Sequence, residues 1–394
     1  MKVLSVNAGS SSLKFQLYEM PEEKVLVSGL FERIGLDGGM YTIKYNGEKI
    51  KIEKELKDHS VAVQTLIEEL INRNIIASLD EIEAVGHRIV HGGERYSKSV
   101  IIDDEVIKAV EELSALAPLH NPANLIGVRT FMNLIPNALQ VGCFDTAFHQ
   151  SMEPEEFLYP VPYEWYEKLG VRKYGFHGMS HNYIANRCGE LLGNKNAKII
   201  SCHIGNGGSL CAIKDGKSFD TSMGFTPNAG LMMGSRSGGI DATLIPYVME
   251  KTGKTVEEVF NDLNKNSGFV GVSGISSDSR DIEAAISEGN ERAILSQEIY
   301  VQKIVNYIAR YFVELGGLDA LVFTAGVGEK SPATRSQVLD KLTPLGIKYD
   351  KELNNFRGEE RLISTEDSSV KVYVIPTDEE VMIARDTYNL KVSG

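Results

Sequence analysis

Two stretches of this chain, far apart in sequence, each consist of an apolar run that ends in a turn rich in glycine and serine. They are Val3-Leu-Ser-Val-Asn-Ala-Gly-Ser-Ser-Ser12 and Lys198-Ile-Ile-Ser-Cys-His-Ile-Gly-Asn-Gly-Gly-Ser209. Each predicts a buried strand and a loop whose small residues let backbone N–H groups approach anionic oxygens. A third run, Ala320-Leu-Val-Phe-Thr-Ala-Gly-Val-Gly-Glu329, repeats the strand-then-glycine pattern. Two such loops facing each other would hold a nucleotide by its phosphates.

The rest of the chain follows the same plan twice. Alternating patterns predict antiparallel strands early in each half, and helical periodicity predicts helices later in each half. At 394 residues the chain exceeds what one hydrophobic core usually organises. The predicted strands are residues 2–6, 13–18, 25–34, 41–45, 49–53, 84–90, 138–144, 199–204, 209–214, 217–221, 319–324 and 370–376. The predicted helices include residues 59–72, 105–116, 292–315, 333–342 and 379–388, and others begin at residues 122, 242 and 256. This plan indicates an internal duplication.

Composition excludes several classes of protein. The formal charge of −13 disfavours nucleic acid and anionic membrane partners, because both require a positive surface. No apolar run reaches the length of a membrane span, and the N-terminal residues lead directly into a predicted strand. The four cysteines show no paired spacing and are expected to be reduced, buried thiols. We therefore expect a cytoplasmic protein.

Two arginines lie among apolar and glycine residues, where a guanidinium normally needs an anionic partner. Arg88 lies in Val85-Gly-His-Arg-Ile-Val-His-Gly-Gly93, and Arg236 lies in Gly234-Ser-Arg-Ser-Gly-Gly239. Each is a candidate ligand for a small anion. A structural ion pair with an aspartate or glutamate is the alternative for each of them.

Other charged candidates have structural alternatives. Lys14 ends the loop Asn7-Ala-Gly-Ser-Ser-Ser-Leu-Lys14, which lacks Walker-loop spacing, so a polar turn with a solvated lysine is the alternative to phosphate contact. Asp145 follows an apolar strand, where α/β sheets place their chemistry, but it could also cap a turn. Glu379 and Glu380 begin a helix behind Thr377-Asp378, where the helix dipole alone explains acidic residues.

The histidines give weaker indications. His177 and His181 have i, i+4 spacing, as have His87 and His91, but the glutamate of a zinc-binding helix is missing. We favour His177 as a hydrogen-bond donor in a cleft over a zinc ligand. A hydrogen-bonded core histidine is the alternative, and the same two interpretations apply to His120.

Seven ordered motifs together closely resemble the acetate kinase family, from residue 1 to about residue 390. The motifs are Asn7-Ala-Gly-Ser-Ser-Ser-Leu-Lys14, Gly86-His-Arg-Ile-Val-His-Gly-Gly93, Leu116-Ala-Pro-Leu-His-Asn-Pro122, Phe144-Asp-Thr-Ala-Phe-His149, Tyr174-Gly-Phe-His-Gly178, His203-Ile-Gly-Asn-Gly207 and Pro376-Thr-Asp-Glu-Glu380. The resemblance implies an α/β fold of two duplicated actin-like ATPase (ribonuclease H-like) domains with a nucleotide cleft between them. It places the N-terminal domain at residues 1–147 plus 380–394. Residues 148–379 would form the C-terminal nucleotide-binding and dimerisation domain of a homodimer.

The resemblance also implies a Mg²⁺-dependent transfer of the ATP γ-phosphoryl group to acetate, giving acetyl phosphate and ADP, with Mn²⁺ as an alternative ion. Asn7 and Glu379 would hold the metal, and Asp145, His177, Arg236, Arg88 and His120 would be catalytic. Arg88, Val90, Leu119, Phe176 and Pro227 would bind the acyl substrate. The implied nucleotide-binding residues are Lys14, Ser10, Ser12, His203, Ile204, Gly205, Asn206, Gly207, Asp278, Ser279, Arg280, Gly326, Val327, Gly328, Glu329 and Lys330.

Some positions depart from the family pattern, and two other functions stay open. Asn228-Ala229, Gly239 and Lys330 differ from the residues common in the family, which affects the loop beside Arg236 and the choice of nucleotide. A propionate or other short-chain acyl kinase is the nearest alternative, because one methylene in a pocket is worth only about 1–3 kcal/mol. A nucleotide-driven scaffold or chaperone-like ATPase is the alternative from another class.

Overall fold

The computed structural model describes residues 1–118 and 120–393. The chain divides into two compact units. The first unit comprises Met1–Phe148 and the segment that starts at Asp378, and the second comprises His149–Thr377.

The first unit contains a sheet of eight strands in the order β5-β4-β3-β2-β1-β6-β8-β7. β1 to β5 form an antiparallel meander, whereas β1, β6 and β8 run parallel, and the short edge strand β7 is antiparallel to β8. The strands are β1 (Lys2–Ala8), β2 (Ser12–Glu19), β3 (Lys24–Glu32), β4 (Met40–Tyr45), β5 (Glu48–Glu53), β6 (Ile82–Ile89), β7 (Val100–Ile101) and β8 (Leu139–Phe144).

The second unit contains a sheet of six strands in the order β11-β10-β9-β12-β14-β13. β9 to β11 are antiparallel, β9, β12 and β14 are parallel, and the edge strand β13 is antiparallel to β14. The strands are β9 (Ile199–Ile204), β10 (Gly208–Lys214), β11 (Lys217–Thr221), β12 (Ala320–Thr324), β13 (Arg361–Leu362) and β14 (Lys371–Val374). This order and these directions match those of β3-β2-β1-β6-β8-β7, so the predicted duplication is confirmed.

Helices cover the sheets and complete both hydrophobic cores. α1 and α3 belong to the first unit's core, and α11 and α13 belong to that of the second. The helices are α1 (His59–Asn72), α2 (Asp104–Leu113), α3 (Asn121–Leu134), α4 (Pro154–Phe157), α5 (Tyr163–Leu169), α6 (Gly178–Leu192), α7 (Leu244–Thr252), α8 (Val256–Lys265), α9 (Gly268–Ser273), α10 (Ser279–Ser287), α11 (Glu291–Glu314), α12 (Ala325–Lys330), α13 (Pro332–Asp340) and α14 (Glu379–Ser393). No helix among the described residues is both long and apolar enough to cross a membrane.

The C-terminal helix α14 packs against β1, β6 and β8 of the first unit. Its N-terminus is capped as the sequence predicts, because the Asp378 carboxylate accepts a hydrogen bond of 2.9 Å from the Val381 N–H. A Cβ at Gly86 of β6 would lie 2.2 Å from Thr387 Oγ1 and 2.5 Å from Ile383 Cγ2. Only glycine therefore allows the helix to pack this closely on the strand.

The three strand-then-glycine runs are not equivalent. β1 and β9 are each followed by a hairpin to the next antiparallel strand, whereas β12 runs directly into α12 through Ala325, which has a left-handed φ of 64°. By its place in the sheet, β12 corresponds to β6. The third run is therefore not another copy of the first loop. The four cysteines are unpaired and buried, as predicted.

Candidate active site

An arginine–aspartate pair lies at the ends of β6 and β8, two adjacent parallel strands. Arg88 is on β6, and Asp145 directly follows β8, where its N–H donates to Ile89 O. Arg88 Nε donates to Asp145 Oδ1 at 2.9 Å, and Arg88 Nη2 donates to Oδ2 at 2.5 Å. The pair is bidentate, which fixes the plane of the guanidinium. The ion pair considered as the alternative for Arg88 is thus present in the structure. Its carboxylate is buried, since Asp145 is 2% exposed.

Two further residues of the first unit face this pair. The third nitrogen of the guanidinium, Arg88 Nη1, donates to Asn7 Oδ1 at 3.2 Å. Burial raises the pKa of the Glu379 carboxyl well above its usual range; Arg88 lowers it, whereas Asp145 raises it further. Asp378 and Glu380 add two more carboxylates, so the acidic groups outnumber Arg88 and Lys14.

These residues fit a hard divalent cation. The Asn7 amide oxygen and the Glu379 carboxylate are ligands of the type that Mg²⁺ prefers. A carboxylate whose burial raises its pKa, set among other carboxylates, is stabilised in its ionised form by a nearby cation. The predicted metal ligands therefore have suitable chemistry, and their role stays a prediction.

The loop after β1 is held by residues around it. Gly9 N–H donates to Ser12 O at 2.8 Å, and the His59 ring contacts Gly9 O through Nε2 at 2.7 Å. Ser10 is exposed and Ser12 is partly exposed at this turn. Lys14 pairs with Glu380 Oε1 at 2.5 Å while its side chain remains about half exposed, so it is not simply a solvated lysine.

Two buried asparagines of α3 organise the backbone beside Arg88, and the sequence did not single them out. Asn124 Nδ2 donates to Ala8 O at 2.6 Å, and Asn124 Oδ1 accepts from Val90 N–H at 3.1 Å. Asn121 exchanges hydrogen bonds with the backbone N–H and C=O of His91. Val90 is buried, and His120 directly precedes α3. Leu119, the other predicted acyl-binding residue here, lies outside the described residues.

His177 of the second unit has an unusual backbone conformation. It directly precedes α6 and has a φ of 57°, which only a few per cent of non-glycine residues adopt. Its ring stacks on His203 with centroids 4.0 Å apart, and its Nδ1 lies 2.9 Å from Ser209 Oγ. The preceding Phe176 is 2% exposed. Non-glycine residues in sparsely populated backbone conformations cluster at active sites and ligand-binding positions, where the surrounding structure compensates the strain.

Arg236 differs from Arg88 in having no carboxylate partner among the described residues. Its Nη1 donates to Pro227 O at 3.4 Å and lies 3.8 Å from Met233 Sδ. Burial lowers its pKa below the ordinary value. A Cβ placed on Gly207 would lie 3.6 Å from Arg236 Nη1 and 3.8 Å from His177 Nε2, so the guanidinium and the imidazole meet over this glycine. None of the described carboxylates therefore forms the ion pair that was the alternative for Arg236.

A cavity of about 500 Å³ in the second unit gathers many of the predicted nucleotide-binding residues. Its lining combines glycine backbone with charged side chains, a composition that suits a phosphorylated ligand. The predicted residues that line it are Gly205, Asn206, Asp278, Ser279, Arg280, Gly326, Val327 and Lys330, and the additional ones are Gly234, Phe269, Ser277, Glu283, Ser331 and Arg357.

Other predicted nucleotide-binding residues do not line this cavity. Ile204 is fully buried in the hydrophobic core, and His203 Nδ1 lies 2.7 Å from Ser180 Oγ. The Glu329 carboxylate accepts from Thr377 N–H at 3.1 Å. The backbone carbonyls of Gly328 and Glu329 accept from Arg335. The structure thus separates residues that line the cavity from residues that support it.

Arg335 is a buried arginine that the sequence analysis missed. It is fully buried and forms no ion pair among the described residues. Its guanidinium donates to the backbone carbonyls of Gly328, Glu329, Asn354 and Phe356, and also to Asn354 Oδ1. Burial lowers its pKa to about 10, and the nearby Arg357 acts in the same direction. Arg335 thereby holds residues 354–356, next to the cavity-lining Arg357, against the end of α12.

An acidic group elsewhere in the second unit consists of Glu156, Asp220 and Glu314. Lys173 contacts Asp220, and Arg310 contacts all three carboxylates, with Nε 2.6 Å from Glu314 Oε1 and Nη2 2.9 Å from Asp220 Oδ2. Because the side chains of Lys173 and Arg310 already pair with these carboxylates, the group is an ion-pair network.

Comparison with known proteins gives matches over nearly the whole chain. A family model described as the Acetokinase family matches residues 2–385. The acetate kinase of Geobacillus sp. (strain WCH70) is 56% identical over 395 residues, covering 100% of both chains. The acetate kinase of Bacillus subtilis (strain 168) is 55% identical over 391 residues, covering 99% of both chains.

Solved structures of similar proteins also superimpose over nearly the whole chain. The crystal structure of Porphyromonas gingivalis acetate kinase superimposes with a TM-score of 0.93 at 48% identity, covering 98% of this chain and 99% of the other. A propionate kinase from Francisella tularensis subsp. tularensis SCHU S4 superimposes with a TM-score of 0.94 at 39% identity, with the same coverage. The fold is thus common to enzymes with these two names.

Proposed function

Because the chain belongs to the acetokinase family, we propose that it reversibly transfers the γ-phosphoryl group of ATP to acetate, giving acetyl phosphate and ADP. The observation that carries the proposal is the guanidinium of Arg236, which has no carboxylate partner among the described residues and lies beside His177 over Gly207. A partly buried guanidinium in this setting is suited to bind an anion. A phosphoryl group in transfer is such an anion.

The reaction needs charge neutralisation more than proton transfer. Acetate is ionised at neutral pH, so its oxygen can attack the γ-phosphorus in line without a strong general base. Arg88 and Arg236 would neutralise the acetate carboxylate and the equatorial phosphoryl oxygens, and His177 would donate a hydrogen bond to the transferring group. Asp145 would act by orienting Arg88 through the bidentate pair.

Asn7 and Glu379 would hold Mg²⁺, with Mn²⁺ as an alternative ion. When bound, the ion would neutralise charge on the phosphate oxygens. Lys14, Ser10 and Ser12 would contact the phosphates from the first unit. The cavity lined by Gly205, Asp278 and Lys330 would hold the rest of the nucleotide.

Val90, Phe176 and Pro227 would surround the methyl group of acetate. Val90 and Phe176 are buried and apolar, which suits a short acyl chain. Since propionate differs by one methylene, the discrimination expected from such a pocket is only about 10-fold to 200-fold. The similarity to a propionate kinase keeps a propionate kinase as the second candidate.

The test is to mix purified protein with Mg-ATP and acetate, propionate or butyrate, and to trap acyl phosphate as the hydroxamate. We expect the strongest product formation with acetate, a several-fold decrease with propionate, and no product when a chelator removes the divalent cation. A preference for propionate would favour the second candidate. A scaffold or chaperone-like ATPase would hydrolyse ATP slowly whatever carboxylate is present, and the absence of acyl phosphate would contradict the proposal.

We also propose that two copies of the chain associate through α7 and α8 of the second unit. α7 contains no buried residue although most of its side chains are apolar. Leu244, Tyr247, Val256 and Phe260 on these adjacent helices are each 45–59% exposed. An apolar face of this kind usually marks a protein interface, and a second copy of the chain is the partner that a homodimer requires.

Sedimentation equilibrium should therefore give twice the chain mass of 43.4 kDa. Tyr247→Asp combined with Phe260→Asp is expected to shift the protein to monomer, because the charges would be buried at the interface. Val313→Asp is the matched control, since Val313 is 75% exposed on α11. A monomeric wild type, or a double variant that stays dimeric, would contradict the interface.

A further inference from the structure

A chain of alternating histidine and serine side chains leads from His177 into the interior of the second unit. His177 Nδ1 lies 2.9 Å from Ser209 Oγ, and the same oxygen lies 2.8 Å from His181 Nε2. On the far side of this ring, His181 Nδ1 lies 2.9 Å from Ser201 Oγ. Ser209, His181 and Ser201 are fully buried.

Each side chain in this series of histidines and serines has one proton to donate while its imidazole or hydroxyl is neutral. A serine hydroxyl carries one proton, and a neutral imidazole carries one N–H on either of its two nitrogens. Burial lowers the pKa of His181 well below its ordinary value, and His149 and His203 act in the same direction. His181 is therefore neutral, and three arrangements of protons make all three contacts. In one of them both rings donate to Ser209 Oγ, which leaves the Ser209 hydroxyl proton without an acceptor among the described residues, at the cost of an unsatisfied buried donor. The other two differ in the direction in which the hydrogen bonds run.

In the first arrangement all hydrogen bonds run inward. His177 Nδ1–H donates to Ser209, Ser209 donates to His181 Nε2, and His181 Nδ1–H donates to Ser201. Among the described residues, His181 Nδ1 is the only hydrogen-bond partner of Ser201 Oγ. In this arrangement His181 Nδ1 already donates, so no described residue accepts the Ser201 hydroxyl proton. A buried donor without an acceptor is costly.

In the second arrangement all hydrogen bonds run outward. Ser201 O–H donates to His181 Nδ1, His181 Nε2–H donates to Ser209 Oγ, and Ser209 O–H donates to His177 Nδ1. Every proton in the chain then has an acceptor, and the remaining proton of a neutral His177 is on Nε2. This nitrogen faces Gly207 together with Arg236 Nη1.

We propose that Ser209, His181 and Ser201 are positioning residues that fix the proton of neutral His177 on Nε2, the nitrogen that donates to the transferring phosphoryl group. The inference rests on the role of His177 in the proposed function. It adds a reason for three buried polar residues in α6, β9 and β10: they set the direction in which one imidazole can donate.

The direct test is the tautomer of His177 in the wild-type protein. The protein is labelled with ¹⁵N-histidine, the His177 resonances are assigned with His177→Gln, and long-range ¹H–¹⁵N spectra are recorded near pH 7.5. We expect a protonated Nε2 and an unprotonated Nδ1. Protonation of Nδ1, alone or together with Nε2, would overturn the proposal whether or not the protein makes acetyl phosphate.

Kinetics test the consequence for the reaction. Loss of the hydroxyl in Ser209→Ala removes the donor to Nδ1, so we expect kcat to fall about tenfold while KM for ATP and acetate stays within about twofold. Ser209→Thr retains a hydroxyl and is expected to recover most of kcat. Ser218→Ala is the matched control. Ser218 Oγ also contacts a histidine, His149 Nδ1 at 2.8 Å, but it is not one of the histidines and serines that lead from His177 to Ser201.

The outcomes separate this inference from the proposed function. A wild type with the expected tautomer but no acyl phosphate would support the chain of donors and contradict the function. An active wild type in which Ser209→Ala keeps its kcat, or in which Ser218→Ala loses as much, would overturn the positioning role. A lower melting temperature with unchanged His177 resonances in Ser209→Ala would also overturn it.

Discussion

Arg236→Ala is expected to lower the rate of acetyl phosphate formation by about 10³-fold to 10⁵-fold, the range known for arginines that stabilise phosphoryl transfer. The fold should survive, because Arg236 forms no ion pair among the described residues and its Nη1 contacts are long, at 3.4 Å to Pro227 O and 3.8 Å to Met233 Sδ. Removing a guanidinium whose pKa is lowered by burial also removes a desolvation cost. The predicted effect is therefore catalytic.

Initial rates in the hydroxamate assay, with circular dichroism of the same samples, measure both parts of this prediction. Arg236→Lys keeps the charge but loses the planar fork, so its rate should lie between those of the wild type and the alanine variant. Arg292→Ala is the matched control: Arg292 also donates to backbone carbonyls, of Val272 and Gly271, but on an exposed surface. Turnover near that of the wild type in Arg236→Ala would contradict the proposed function of this residue.

Arg335→Met is expected to lower the free energy of unfolding of the second unit by about 3–5 kcal/mol, because several buried oxygens would lose their donors at about 1–3 kcal/mol each, partly offset by the desolvation cost of the guanidinium that is removed. Methionine fills much of the volume but donates no hydrogen bond. The carbonyls of Gly328 and Phe356 and the side-chain oxygen of Asn354 would lose their arginine donors. Loosening of residues 354–356 should also raise KM for ATP, since Arg357 lines the cavity.

Urea unfolding followed by tryptophan fluorescence and circular dichroism measures this loss. Arg361→Met is the matched control: Arg361 begins β13, a few residues after this loop, and its guanidinium carbon lies 4.1 Å from the Phe356 ring centroid, as a partly exposed cation paired with Glu359. We expect the control to lose less than about 1 kcal/mol. A loss in Arg335→Met no larger than that of the control would show that the buried guanidinium does not hold the loop.

Much of the fold was predictable because local signals and packing agree. The predicted helix over residues 59–72 has the bounds of α1, since Asp58 caps it and its apolar residues recur at helical spacing. The predicted helix over 105–116 is α2 (Asp104–Leu113), and the helix predicted from residue 242 begins at Leu244. The short elements β7, β13, α9 and α12 were missed, because a few residues carry no periodicity and only their neighbours stabilise them.

The candidate site, too, was only partly predictable from the sequence. The sequence pointed to Arg88, Arg236 and His177 through their glycine-rich surroundings, but it left an ion pair open for both arginines. The structure pairs Arg88 with Asp145 and gives Arg236 no carboxylate partner among the described residues. The i, i+4 spacing of His177 and His181 was visible, yet it could not show that Ser209 lies between the two rings.

The sequence by itself determined the duplicated α/β plan, the strands that end in glycine-rich turns and the family to which the motifs belong, because these depend on neighbouring residues and their spacing. Only the tertiary structure decided which charges are paired, that Arg335 is buried among backbone carbonyls and that serines lie within hydrogen-bond distance of His177 and His181. Contacts of this kind join residues that are far apart in sequence; Asn124 and Ala8, for example, are 116 positions apart. Hydrogen bonds and burial between such residues arise when strands and helices pack, and no local pattern encodes them.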